Sequence, residues 1–390
     1  MISNPMSEDT LKRHGTRPYQ VACAVLFLVF TFCYLYFYQD NLLAMGQHVL
    51  SKGRTHYDHM VGAVLLTLVL WLLQIGCYLL FRLKGRSHAL TYVPSVVCLT
   101  AITSIGSDIV QGVTLGWWWI VAPFLITIAL VAMCYARRSQ TYEPLEHSWQ
   151  GLLGRWAWVN YGGLLVQFFF VALCSNHNQV LHTQLEIEQH VMDGTYRQTL
   201  KVGAHSLHTD STLTCLRIYS LSLAGLLPER LFEYPLVGNS AAMLPDNPGV
   251  NFLMCGKDKF YQHLGAWFRQ PMHTMHYLRF IHRHGLATPA AHDYLLCAYL
   301  LDGNLEAFVR TIGKYYDLKR PLPKHYREAL VLYNHLRSNP YVVYHDSVMD
   351  ADFTDFQSLA RQYGRPRQRL SALRDTYGNT YWTYYYRLRH

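Results

Sequence analysis

The chain has 390 residues, nine cysteines and a formal net charge of +9. Residues 1–174 alternate long apolar runs with short basic loops, whereas residues 175–390 contain no such run, which excludes a protein soluble throughout. The cysteines exclude a disulfide framework: six lie in or beside the apolar runs, where Cys acts as a small hydrophobe, and the other three form no CxxC.

Five runs approach the roughly 20 apolar residues that a bilayer-spanning helix needs. They cover residues 21–38, 60–81, 89–107, 113–136 and 156–174, after a polar tail at 1–20, and none contains Asp, Glu, Lys or Arg. Hydrocarbon offers the backbone no partners, so each run is predicted to be a helix. The third run is the most polar, with Ser95, Thr100, Thr103 and Ser104, and Pro94 and Pro123 predict kinks. Gln74, Asn160 and Gln167 are the strongest polar groups within the runs and are expected to bond between helices. The absence of charge in the spans argues against ion-coupled transport.

Basic residues predict the topology. Lys12, Arg13, Arg17, Arg82, Lys84, Arg86, Arg137, Arg138 and Arg155 fall on one side, and only Lys52 and Arg54 on the other. The positive-inside rule then places the N-terminus in the cytoplasm. Five crossings place residues 175–390 outside, in the periplasm of a two-membrane bacterium. Nucleic acid is therefore not an expected partner, and membrane lipids are.

Histidine is abundant, with 21 residues. His56 and His59 share a helical face in the first outer loop, beside His48 and Asp58, and are the candidate zinc or copper ligands. No HExxH motif accompanies them, and no cofactor is expected. His182, Glu186 and His190 follow one another at i,i+4 spacing, but three such groups on one helix cannot all reach a single ion.

The second half reads as helical, so the fold class is all-α: a polytopic bundle of about five spans, then a soluble helical-repeat domain. Asp293–Leu301, a turn at Asp302-Gly303-Asn304, Leu305–Tyr316 and the stops Pro321 and Pro323 form a tetratricopeptide-like unit. Gly194-Thr195-Tyr196-Arg197-Gln198 and Gly225 give a partial echo of it. Residues 236–257, rich in Gly, Asn and Pro, are predicted to be a long loop. The C-terminal stretch mixes arginines with aromatics. A final helix covering the end of a solenoid is the structural role expected of it. Its candidate partner-binding residues are Arg365, Arg367, Arg369, Tyr381, Trp382 and Tyr385.

Three segments carry a family resemblance: Leu231-Phe232-Glu233-Tyr234-Pro235, Leu322 to Leu330 (LPKHYREAL), and Asp375 to Tyr385 (DTYGNTYWTYY). They resemble an uncharacterised family of bacterial inner-membrane proteins with N-terminal spans and a C-terminal tetratricopeptide-like region. The likeness is clearest over residues 290–390. The resemblance implies a fold and a compartment but supplies no activity. The expected function is a membrane-anchored interaction or scaffold protein that holds a protein partner outside the cytoplasmic membrane. The alternatives are an envelope- or lipid-modifying enzyme using His56, Asp58 and His59, and an accessory subunit of a transport assembly.

Overall fold

The structure is a computed structural model that describes residues 8–106, 116–139, 152–204 and 206–389. It divides into two compact units, Met1–Asn178 and Gln179–His390. All described regular elements are helical.

In the first unit, α1 (Glu8–Cys33) runs on through a π-helical turn at Tyr34–Tyr38 into α2 (Asp40–Ser51). The remaining α-helices of this unit are α3 (His59–Phe81), α4 (Val93–Thr103), α5 (Trp118–Ser139) and α6 (Arg155–Cys174). Four stretches are long and apolar enough to cross a membrane: Pro18–Tyr38, His59–Phe81, Trp118–Ser139 and Arg155–Cys174. They turn large apolar side chains outward, among them Leu72, Ile120, Phe124 and Leu165. A continuous apolar surface of this kind is rare on a protein bathed in water. The expected run at 113–136 is displaced to Trp118–Ser139, and its residues 113–115 lie outside the described ones.

The third predicted span differs most. Residues 85–92 form a 3-10 helix and α4 has only 11 residues. Pro94 does not kink α4, because it stands in the first turn, where a missing N–H breaks no bond. This segment is the inside of the bundle, with Ser95 and Thr100 fully buried. Their hydroxyls bond to main-chain carbonyls, Ser95 to Leu70 at 2.7 Å and Thr100 to Val96 at 2.8 Å. The 3-10 stretch is clasped by the side chains expected to bond between helices. Asn160 accepts from the Ala89 N–H at 2.7 Å and donates to the Gly85 carbonyl at 2.8 Å. Gln167 donates to the Ala89 carbonyl, and Gln74 to the Thr91 hydroxyl.

These bonds also locate the two ends of the segment. Gly85 meets Tyr19 and Asn160, at the starts of the α1 span and α6. Thr103 meets Ser175 and Asn176, just past the end of α6, and Gln39 joins the same group. Residues 85–103 therefore run the full length of the bundle. Their combined rise is roughly 32 Å, against about 30 Å for a hydrocarbon core.

The second unit has one apolar core. It is built from α7 (Gln179–Met192), α8 (Tyr196–Thr199), α9 (Ser211–Leu223), α10 (Leu227–Arg230), α11 (Lys257–Leu264), α12 (Thr274–Arg283), α13 (Pro289–Leu301), α14 (Leu305–Ile312), α15 (Lys324–Leu336), α16 (Ser347–Gln362), α17 (Pro366–Tyr377) and α18 (Tyr381–Arg389). Helix α13 is its axis, with Tyr294, Leu296, Ala298 and Leu300 fully buried. Thr288 caps its start, and Gly303 (φ +65°) allows the turn into α14.

Residues 236–256 hold a 3-10 turn at Ser240–Met243 between irregular stretches and are built into the core. Met243 and Leu244 are fully buried. Buried backbone needs partners, and two carboxylates supply them. Glu188 of α7 accepts from the N–H groups of Leu253, Met254 and Cys255 and from the Gln184 amide. Asp302 holds the N–H and hydroxyl of Ser240 at 3.0 and 2.9 Å. Burial pushes the Glu188 carboxyl above its ordinary range, while its four N–H donors pull it back.

Candidate functional site

The three segments that carry the resemblance meet inside the second unit. Phe232 comes from a 3-10 turn at Leu231–Glu233, His325 and Glu328 from the start of α15, and Tyr381 and Trp382 from the start of α18. The His325 and Glu328 side chains are each 1% exposed, and Nδ1 lies 2.8 Å from Oε2. The Phe232 N–H donates to Nε2 of His325 at 3.2 Å. A ring nitrogen that accepts carries no proton, so the proton sits on Nδ1, faces the carboxylate, and leaves the imidazole neutral. The same Oε2 accepts the Tyr381 N–H at 2.7 Å, and the Trp382 indole N–H donates to the Glu328 carbonyl at 2.8 Å. Every one of these groups is satisfied and sealed from solvent. The cluster is a clasp joining α15, α18 and the Phe232 turn, and it offers no atom to a substrate.

Helix α18 is fixed to the core a second time. The hydroxyls of Tyr381 and Tyr384 donate to the carbonyls of Leu300 and Leu301 at the end of α13, at 3.3 and 2.9 Å. The C-terminal aromatics thus pack against the end of α13. Of the six residues put forward for partner binding, Tyr381 and Trp382 are 0% and 2% exposed and present no free surface. Arg365 and Arg367 are exposed on α17, and Arg369 and Tyr385 are partly so.

Those last two open onto a cavity of about 680 Å³ between α15, α16, α17 and α18. Its floor is Phe353, Phe356, Leu332 and Trp382, each nearly buried. Its polar side carries Arg361, Arg369 and Arg389. Arg369 donates to the Tyr363 carbonyl at 2.9 Å and the Tyr386 hydroxyl at 3.0 Å, and Arg389 donates to the Tyr385 hydroxyl at 3.2 Å. Among the described residues none of the three arginines has a carboxylate within ion-pair distance. The volume lies within the roughly 300–1,000 Å³ usual for small-ligand sites. The cavity is therefore apolar below and cationic at its rim.

Residues 268–388 match a family of unknown function, DUF6057. The match takes in α12 to α18 and so includes the clasp and the cavity, apart from Arg389 and the Phe232 turn. No curated protein and no solved structure matches the chain.

The candidate metal ligands are not brought into a ligand set. His56 is exposed, while His59 opens α3 with Nδ1 3.3 Å from Asp40. Asp58 caps α3, accepting the Val61 N–H at 2.9 Å. Most of the first outer loop is helix α2. His190 bonds the Thr195 hydroxyl at 3.0 Å. No group of three His, Cys, Asp or Glu suited to a metal occurs among the described residues.

The cavity's floor was missed from sequence. Its signal was present, since Phe353, Phe356, Gln357 and Ala360 recur at helical spacing. That pattern is identical to an ordinary buried helix face. Only the placement of Arg361, Arg369 and Arg389 around it, from three helices, gives it a different meaning.

Proposed function

We propose that the protein is a membrane-anchored interaction protein whose helical second unit binds a partner on the extracytoplasmic side of a bacterial inner membrane. The binding surface is the arginine-bearing side of α17 with the cavity that α16 and α18 flank. The observation that carries this reading is the set of unpaired arginines around an apolar recess, in a chain that also has four helices fit for a membrane. Charge-assisted bonds from arginine to a carboxylate or phosphate are strong and directional, so an acidic partner is expected.

The compartment rests on two supports. The basic residues fall on one side of the apolar runs. Residues 85–103 also reach from one end of the bundle to the other, which supports a fifth pass beside the four long helices. Helices α13 and α14, then α15 and α16, form successive hairpins beginning at Pro289 and Lys324. That interval is close to the period of about 34 residues of tetratricopeptide repeats, and this supports the repeat reading.

Crosslinking in intact cells followed by affinity purification tests the proposal. A partner should be recovered with the native chain and lost, by about tenfold or more, when Arg365, Arg367 and Arg369 are all changed to Glu. Unchanged recovery from that variant would remove this surface from consideration.

A further inference from the structure

We infer that the cavity between α16 and α18 binds a free medium-chain fatty acid, with its carboxylate at the arginine rim and its chain along the aromatic floor. The inference rests on reading this recess as a binding site, and goes beyond it by naming the ligand's chemistry.

The shape of the recess comes first. Phe353, Phe356, Ala360 and Arg361 line it along α16, and Trp382, Tyr385 and Arg389 line it along α18. Both rows span about two helical turns, so the recess is a trough of roughly 12 Å. At one end of each row stands an arginine, Arg361 and Arg389, and Arg369 of α17 is the third. A ligand must therefore carry an apolar body and an anionic head.

Hydrogen bonding then separates an acyl chain from a peptide. A peptide brings an N–H and a carbonyl at every residue, and leaving these unpaired against an apolar floor is costly. The floor has few partners to offer. The Trp382 indole N–H is already given to the Glu328 carbonyl, and the remaining uncharged polar lining is Gln357, Tyr385 and Tyr386, three side chains against a backbone that brings two polar groups at every residue. The walls are helices, so no strand edge is present to pair with an extended chain. A hydrocarbon chain needs none of these bonds. A carboxylate head can take two parallel bonds from a guanidinium.

The test uses the full-length protein in its native membranes and a photoactivatable decanoate bearing a diazirine on its chain. Irradiation and peptide mapping should place adducts on the lining helices, chiefly Ser347–Gln362 and Tyr381–Arg389. Excess decanoate should displace them and methyl decanoate, which lacks the anionic head, should not. Changing Arg361 and Arg389 together to Gln should lower labelling about tenfold or more, since each removes a charge-assisted bond. Ala360→Trp, which fills the trough, should do the same, with an unchanged limited-proteolysis pattern certifying the fold of both variants. Adducts that methyl decanoate displaces equally, that persist in the arginine variant, or that fall outside α15 to α18 would each overturn the inference. The partner purification described above reads a different signal, so either result can fail while the other stands.

Discussion

Glu328 shows how much one side chain can organise. Its carboxylate takes the proton-bearing nitrogen of His325 and the N–H of Tyr381, and its main-chain carbonyl takes the Trp382 indole. Deleting a buried acceptor leaves its donors, here the His325 ring N–H and the Tyr381 N–H, unpaired, which costs about 1–3 kcal/mol for each. Glu328→Ala should therefore lower the unfolding free energy by that order, measured by denaturant titration of the second unit's tyrosine and tryptophan signal. Retention of native stability would show that the clasp contributes little. The sequence carried a partial sign of this cluster: its three segments were singled out as a resemblance, but nothing in their spacing said that they touch. A histidine and a glutamate three residues apart on a helix are ordinarily a solvated pair. Burial, which depends on Phe232 from far upstream, turned this pair into a clasp. Glu188 was hidden for the same reason, because its partners lie 65 to 67 residues away.

At the level of elements, the helices and their ends were legible wherever local chemistry set them. Thr288, Asn304 and Asp346 cap α13, α14 and α16, and Gly303 turns the chain between α13 and α14. Joints made by distant contacts were not legible. The end of α11 is held by Thr288, whose N–H and hydroxyl bond to the carbonyls of Leu264 and His263 at 3.1 and 2.7 Å. Gly265 makes that approach possible. Its φ is +133°, and a Cβ there would stand 1.9 Å from the Leu286 carbonyl oxygen. Gly265→Ala should cost more than about 2 kcal/mol, because strain and a backbone collision add. Gly285, at φ +68° with nothing within 4 Å, is the control, and its change to Ala should cost about 1 kcal/mol. Equal urea midpoints for the two variants would contradict this account. Residues 236–257 teach the same lesson from the opposite side. Their Gly, Asn and Pro content does not register the burial that Glu188 and Asp302 hold in place.

For the molecule as a whole, apolar run length was a sound guide to four helices long and apolar enough to cross a membrane. The third run was harder, because Ser95, Thr100 and Thr103 make it look marginal. In the structure those hydroxyls are turned inward and bonded to helix carbonyls, so their polarity never meets the surroundings. Five passes predict that Arg86, before α4, and Gly116, after it, lie on opposite faces of the membrane. In a background without native cysteines, Gly116→Cys should react with an impermeant maleimide on intact cells. Arg86→Cys should react only after lysis. Equal labelling of both would remove one crossing and reverse the placement of the second unit.

The central position of α4 also bears on biosynthesis. The segment reaches its bonded state only when Asn160 and Gln167 of α6 have arrived to meet Gly85 and Ala89. A nascent chain released before Arg155 would hold a half-polar stretch with open carbonyls and no neighbour to close them. Its packing must therefore wait for α6, a helix that leaves the ribosome some 70 residues later, which makes α6 the checkpoint for α4.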